Sequence, residues 1–202
     1  MGQEPKMAAH CLIVLVLAAA VTTSTGQEAA ATGKPASPGA REFLTQRCKK
    51  TDFPDTCFDD LLPYAESFSG SRTKVAIAAT TILMAKLDSL LAELHGVNIN
   101  LPGQFKLDEC IKVIEGLTSA KKEKLARFKA LEVIEDSKHT PKDTAELDKW
   151  IDDVDAGCGD KCDEVVKIPK VNEMVPSYKG VTQFTGIADP LVTLLTDPKD
   201  NA

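Results

Sequence analysis

The chain has 202 residues, 43% of them apolar and only ten aromatic (seven Phe, two Tyr, one Trp). That is one domain's length with enough apolar matter for a core, and the scarcity of aromatics favours helices over strands. A net charge of −6, from 24 basic and 30 acidic residues, excludes the basic footprint of a nucleic-acid binder and is too mild for a disordered acidic tail.

Residues 1–26 read as a signal peptide. Cys11 to Val21 is an unbroken apolar run of eleven residues. A membrane span needs about 20, a signal-peptide core about 7–15. Ser24 and Gly26 suit the −3 and −1 positions of a cleavage site, so the mature chain is expected to start near Gln27, without a membrane anchor. Secretion exposes the remaining cysteines to an oxidising compartment. Cys48, Cys57, Cys110, Cys158 and Cys162 then give two bridges and one thiol left over, in any of fifteen arrangements.

Residues 27–40 are rich in Ala, Gly, Pro and Ser and read as a disordered lead-in. A single domain is expected over 41–198. REFLTQRC, from Arg41, predicts a short helix, and Asp55 to Leu62 a second one stopped at Pro63. Cys48 and Cys57 sit one on each piece, and bridging them would pin a helical hairpin. Ser71 to His95 carries the longest amphipathic pattern, with Ala79, Leu83, Leu87, Leu90 and Leu94 at steps of three and four, Ser71 to cap the start and Gly96 the end. After the loop VNINLPGQ, a third long helix begins near Phe105 and carries Leu107, Cys110, Ile111, Ile114 and Leu117. It continues to Leu131, with Gly116 as a weak point. Residues 137–142 break the pattern. Thr140-Pro141-Lys142-Asp143 restarts a helix, with a hydroxyl cap, Pro at the first position and an acid three after the cap. That helix carries Leu147, Trp150, Ile151 and Val154, weakens at Gly157 and Gly159, resumes through Val166 and is ended by Pro169. A last helix covers about Ser177 to Leu195, with Pro190 as a kink. The expected fold is all-α: an antiparallel four-helix bundle behind an N-terminal hairpin, stapled by disulfides.

Catalytic chemistry finds little to stand on. His95 falls at a helix end and His139 in a polar turn, neither beside a nucleophile motif. The acidic pairs Asp59-Asp60, Asp108-Glu109 and Asp152-Asp153 read as solvated helix faces. Cys158-x3-Cys162 with His139 lacks the second ligand pair of a structural zinc site. The expectation is therefore no catalytic residue, no metal and no cofactor. That points away from an enzyme and towards a binding, structural or inhibitory protein.

Several segments in order resemble the plant invertase and pectin methylesterase inhibitor family. FLTQRCKKTDFPDTCFDDLLP is similar to the family's opening, with Phe43, Leu44, Cys48, Phe53, Pro54, Asp55, Cys57 and Leu61 in place. LDECIKVIEGLTSA is similar to its Leu-x-x-Cys helix through Leu107 and Cys110. KWIDDVDAGCGDKCDEVV resembles the segment from Trp to Asp-x-Cys, and QFTGIADPLVTLL the terminal helix. The resemblance implies a secreted non-enzyme, a monomer until it binds one target enzyme one-to-one over the active-site cleft. The target would be a pectin methylesterase or an acid invertase, in the apoplast and cell wall or in the vacuole. It also implies bridges Cys48–Cys57 and Cys110–Cys162. Asp160-Lys161-Cys162 matches the family's Asp-x-Cys better than Cys158 does, although both share one face of a continuous helix. Invertase inhibitors often carry a Pro-Lys-Phe triad; here Pro141 and Lys142 are followed by Asp143, and Trp150 is closer to the esterase-inhibitor pattern. The esterase is the favoured target. Pro141 and Lys142 are the candidate target-binding residues if the loop takes part.

Overall fold

A computed structural model describes residues 35–97 and 104–197. The expected signal peptide, the start of the lead-in and most of the VNINLPGQ loop lie outside the described residues. Every regular element among the described residues is helical.

Helix α1 (Pro38–Cys48) begins three residues before Arg41, inside the stretch read as a lead-in. The reason is local. Ser37 Oγ accepts the Ala40 N–H at 3.3 Å, and Pro38 takes the first helical position, where its missing N–H costs nothing. Helix α2 (Pro54–Leu61) also starts on a proline. Pro63 does not stop the chain's winding. It sits in a 3₁₀ turn (Leu62–Tyr64) that leads into α3 (Ala65–Phe68), which ends on left-handed Ser69 and Gly70. The Cys48–Cys57 disulfide joins the end of α1 to α2, and Leu44 and Leu61 are fully buried beside it.

Helix α4 (Arg72–Gly96) is capped by Ser71, whose Oγ accepts the Lys74 N–H at 3.3 Å. Its stripe of Val75, Ala79, Leu83, Leu87, Leu90 and Leu94 is completely buried. Each such leucine contributes about 1.5–3 kcal/mol by leaving water. Helix α5 (Gln104–Leu131) runs through Gly116 without a break and buries Leu107, Cys110, Ile114, Phe128 and Leu131. Helix α6 (Pro141–Gly157) buries Leu147, Trp150, Ile151 and Val154. It passes into a π turn (Cys158–Cys162) and then α7 (Asp163–Val166). Pro169 does not end this helix, which is already over; it opens α8 (Pro169–Met174). Helix α9 (Ser177–Thr193) has Pro190 in its last turn.

The four long helices form a helical bundle in which α4 and α6 each pack against both α5 and α9. The α1–α2 hairpin leans on this body through α2, which touches α4 and α9. The Asp52 N–H donates to the Gly186 carbonyl of α9 at 3.2 Å. A Cβ at Gly186 would lie 2.9 Å from the Phe53 ring, so the glycine admits the hairpin turn. Lys86 of α4 completes the seam, with its ammonium 4.7 Å from the centre of the Phe184 ring of α9 and 3.7 Å from Asp60 of α2.

A second disulfide, Cys110–Cys162, ties α5 to the π turn. Cys158 is reduced and fully buried. Just before the turn, α6 comes so close to α5 that a Cβ at Gly157 would meet Val113 Cγ1 at 2.7 Å. The Tyr178 hydroxyl of α9 donates to the Cys158 carbonyl at 3.2 Å, a second bond to a group that already accepts the Asp163 N–H across the turn.

Candidate binding surface

The connection from α5 to α6, residues 132–140, is anchored by one carboxylate. Asp136 reaches the first turn of α4, 64 residues away in sequence, and supplies acceptors where helix N–H groups have no partner of their own. Its Oδ2 accepts the Arg72 N–H at 2.6 Å, and its Oδ1 accepts the Thr73 hydroxyl at 2.6 Å and the Ser71 hydroxyl at 3.2 Å. The Arg72 guanidinium answers by donating to the Asp136 carbonyl at 2.5 Å and to the Leu194 carbonyl after α9 at 3.4 Å. Burial works against the charge on Asp136. The hydrogen bonds from Thr73, Arg72 and Ser71 outweigh it and hold the carboxyl below the usual aspartate range.

His139 is not in an open polar turn. It is 6% exposed, with Nε2 2.8 Å from the Thr73 hydroxyl, and burial pushes its pKa below the usual histidine value. The signals that place it there, Thr73 and Asp136, are far apart in sequence and individually unremarked. Next in the chain, Asp143 Oδ2 accepts both the N–H and the hydroxyl of Thr140 at 2.8 Å, which starts α6 and holds the Asp143 carboxyl below its usual range. The α5–α6 side is tied further by Glu146, which meets Arg127 at 2.8 Å and Lys124 at 3.9 Å.

On this anchored platform Pro141 and Lys142 are both exposed, side by side at the head of α6. Val133 at the other end of the connection is 88% exposed. Lys138 Nζ lies 2.7 Å from Glu135, a hydrogen bond that lowers the Glu135 pKa and raises that of Lys138. The turn therefore presents an apolar residue and a cation on a backbone that is held from behind.

A second charged surface lies where α6, α9 and the hairpin turn meet. Asp148, Asp152 and Asp155 of α6 face Asp189 of α9, with Asp52 close by. Burial first, and then these neighbours, push the Asp189 carboxyl above its usual range; burial does the same for Asp148. Asp153, by contrast, points to Lys149 at 2.8 Å and reads as an ordinary helix-face pair. Of the cysteines, Cys48, Cys57, Cys110 and Cys162 are committed to disulfides, so Cys162 has no thiolate to offer a metal. The Cys158 thiol is pushed up to about 12 by burial, with Asp155 adding to the effect. His95 pairs with Glu115 at 3.3 Å on the surface.

No protein-family model matches the chain, and no curated protein matches it either.

Proposed function

We propose that the protein is a secreted inhibitor that binds a plant pectin methylesterase one-to-one and covers its active-site cleft. The observation that carries the reading is the disulfide framework. Cys48–Cys57 pins a hairpin whose turn docks on α9 through Asp52 and Phe53, and Cys110–Cys162 ties the Leu-x-x-Cys helix to the Asp-x-Cys turn. Those are the bridges that the motif resemblance implies. Two disulfides also suit an extracellular compartment, and the apoplast or cell wall is the proposed site of action. Inhibition of this kind needs only a buried surface of standard size, about 1,600 Å². The bundle's helix faces supply it under the esterase reading.

Acid invertase, of the cell wall or vacuole, is the second target class. Pro141 and Lys142 support it, because both are exposed on an anchored turn. Asp143 weighs against it: the position of the family's aromatic residue is spent on starting α6 through Thr140. A titration of the purified mature protein into pectin methylesterase and cell-wall invertase assays at acidic pH decides between them. Stoichiometric loss of esterase activity is expected. Loss of invertase activity alone reassigns the target, and no effect on either enzyme removes the inhibitor reading.

A further inference from the structure

The hydrogen bonds around Thr73 fix where protons sit. The Thr73 hydroxyl has one proton and two close neighbours, Asp136 Oδ1 at 2.6 Å and His139 Nε2 at 2.8 Å. An ionised carboxylate only accepts, so the proton goes to Asp136. Thr73 must then accept from His139, which puts a proton on Nε2 and makes Nε2–H the tautomer of the neutral ring. The other ring nitrogen, Nδ1, is buried with no hydrogen-bond partner. As a bare acceptor it bears only the desolvation cost of a neutral polar atom. Once protonated, it becomes a buried donor and a charge with nothing to receive it.

We propose that His139 is a proton-operated latch: neutral, it locks residues 132–140 onto the start of α4, and acidification releases that segment. The charges facing the ring do not offset the cost. Asp136 and Asp143 favour the imidazolium, but Asp136 is already saturated by Arg72, Thr73 and Ser71, and Asp143 Oδ2 is held by Thr140. Arg72, arriving from α4, opposes a second cation. The direction of the effect follows from linkage. The released segment takes up the proton at the usual histidine value of 6.5, the locked one only at lower pH, so the locked state loses ground as pH falls through that interval. Asp136 does not interfere there, because its own protonation is held below the usual 3.8. The segment released carries Val133 and leads into Pro141 and Lys142, so the latch controls how rigidly the turn is presented. The inference concerns the chain alone and stands whether or not either enzyme is the target.

Two measurements on the full mature chain test it. Nitrogen-15 and carbon-13 NMR of the histidine rings at neutral pH should report His139 as the Nε2–H tautomer, with a titration midpoint below that of an unstructured histidine. The Nδ1–H tautomer, or a midpoint at or above the unstructured value, overturns the proposal. Hydrogen exchange then reads the release. Protection factors, corrected for the intrinsic pH dependence of exchange, should fall for residues 132–140 and for the Arg72 and Thr73 amides. One linked proton gives a drop of up to about tenfold per pH unit between the unstructured histidine value and the lower His139 midpoint, and no further drop below it. His139→Gln keeps a donor for Thr73 but takes up no proton, so its protection should be flat over the same interval. Wild-type protection that is flat, or an equal fall in His139→Gln, refutes the latch.

Discussion

Gly157 and Gly116 offer a paired test of how tightly α5 and α6 are held. Both lie in helical backbone, Gly157 at φ −62° and ψ −41° and Gly116 within α5, so alanine fits either backbone. By helix propensity alone each replacement stabilises by about 1 kcal/mol. At Gly116 nothing lies within 4 Å of the added Cβ, and the gain should appear in full. At Gly157 the Cβ would sit 2.7 Å from Val113 Cγ1 and 3.3 Å from Leu117 Cδ1, inside the separation of about 3.5–4.0 Å that two carbons prefer. Overpacking of this kind costs about 1–3 kcal/mol, and the Cys110–Cys162 bridge beside it keeps the helices from moving apart. Gly157→Ala should therefore end about 1 kcal/mol less stable than wild type, and about 2 kcal/mol less stable than Gly116→Ala. For a chain of this size that separates the two melting temperatures by about 4–8 °C. Thermal unfolding followed by far-ultraviolet circular dichroism reads it directly. If the two variants shift in the same direction by the same amount, the close approach at Gly157 does not exist.

Three other outcomes are expected. Lys142→Ala should leave esterase inhibition nearly unchanged, whereas a loss of about 2–5 kcal/mol in affinity for whichever enzyme binds would put the α6 head at the interface. Replacing Cys110 and Cys162 together by alanine opens a loop with a sequence separation of 52 and should cost about 4 kcal/mol in urea unfolding. A cost near zero would mean the bridge does not constrain the unfolded chain. Asp189→Asn should raise the melting temperature at neutral pH, because the raised carboxyl pKa means that ionisation there is unfavourable. The folded state holds that proton more tightly than the unfolded one, so stability is highest in acid and falls as pH rises through the raised value. The variant's advantage should vanish in acid, and a constant advantage at all pH values would refute the electrostatic cause.

The long helices were legible because their signals are local and repeated. The α4 stripe needs only its own spacing, and the start of α6 is written in four consecutive residues, Thr140 to Asp143. The prolines were harder. Ser37-Pro38 looks like part of a Gly/Ala linker by composition, yet a hydroxyl followed by proline is also a helix start, and the helix wins once Leu44 has a core to enter. Pro63 and Pro169 read as stops, but each occupies a first-turn position in a new winding, which the fixed φ of proline suits. Periodicity put Cys158 and Cys162 on one face without choosing between them, since the choice depends on a π turn that spacing does not encode. The cluster of Asp136, Thr73 and His139 was out of reach for a different reason. It joins two segments more than sixty residues apart through single hydrogen bonds, with no repeated pattern to announce it.

The buried Cys158 sets a time limit on errors. Exchange between a thiol and a disulfide proceeds through the thiolate. With its pKa pushed up to about 12 by burial in the folded chain, Cys158 is far less ionised at neutral pH than an unstructured cysteine. The finished protein thus carries a spare thiol one turn from a disulfide without putting that disulfide at risk. The nascent chain has no such protection: before α5, α6 and α9 close around it, Cys158 competes with Cys162 for Cys110 on nearly equal chemical terms. Correct pairing is a race between oxidation and packing, and a host that oxidises cysteines before the helices assemble will accumulate the wrong isomer, which packing then makes slow to repair.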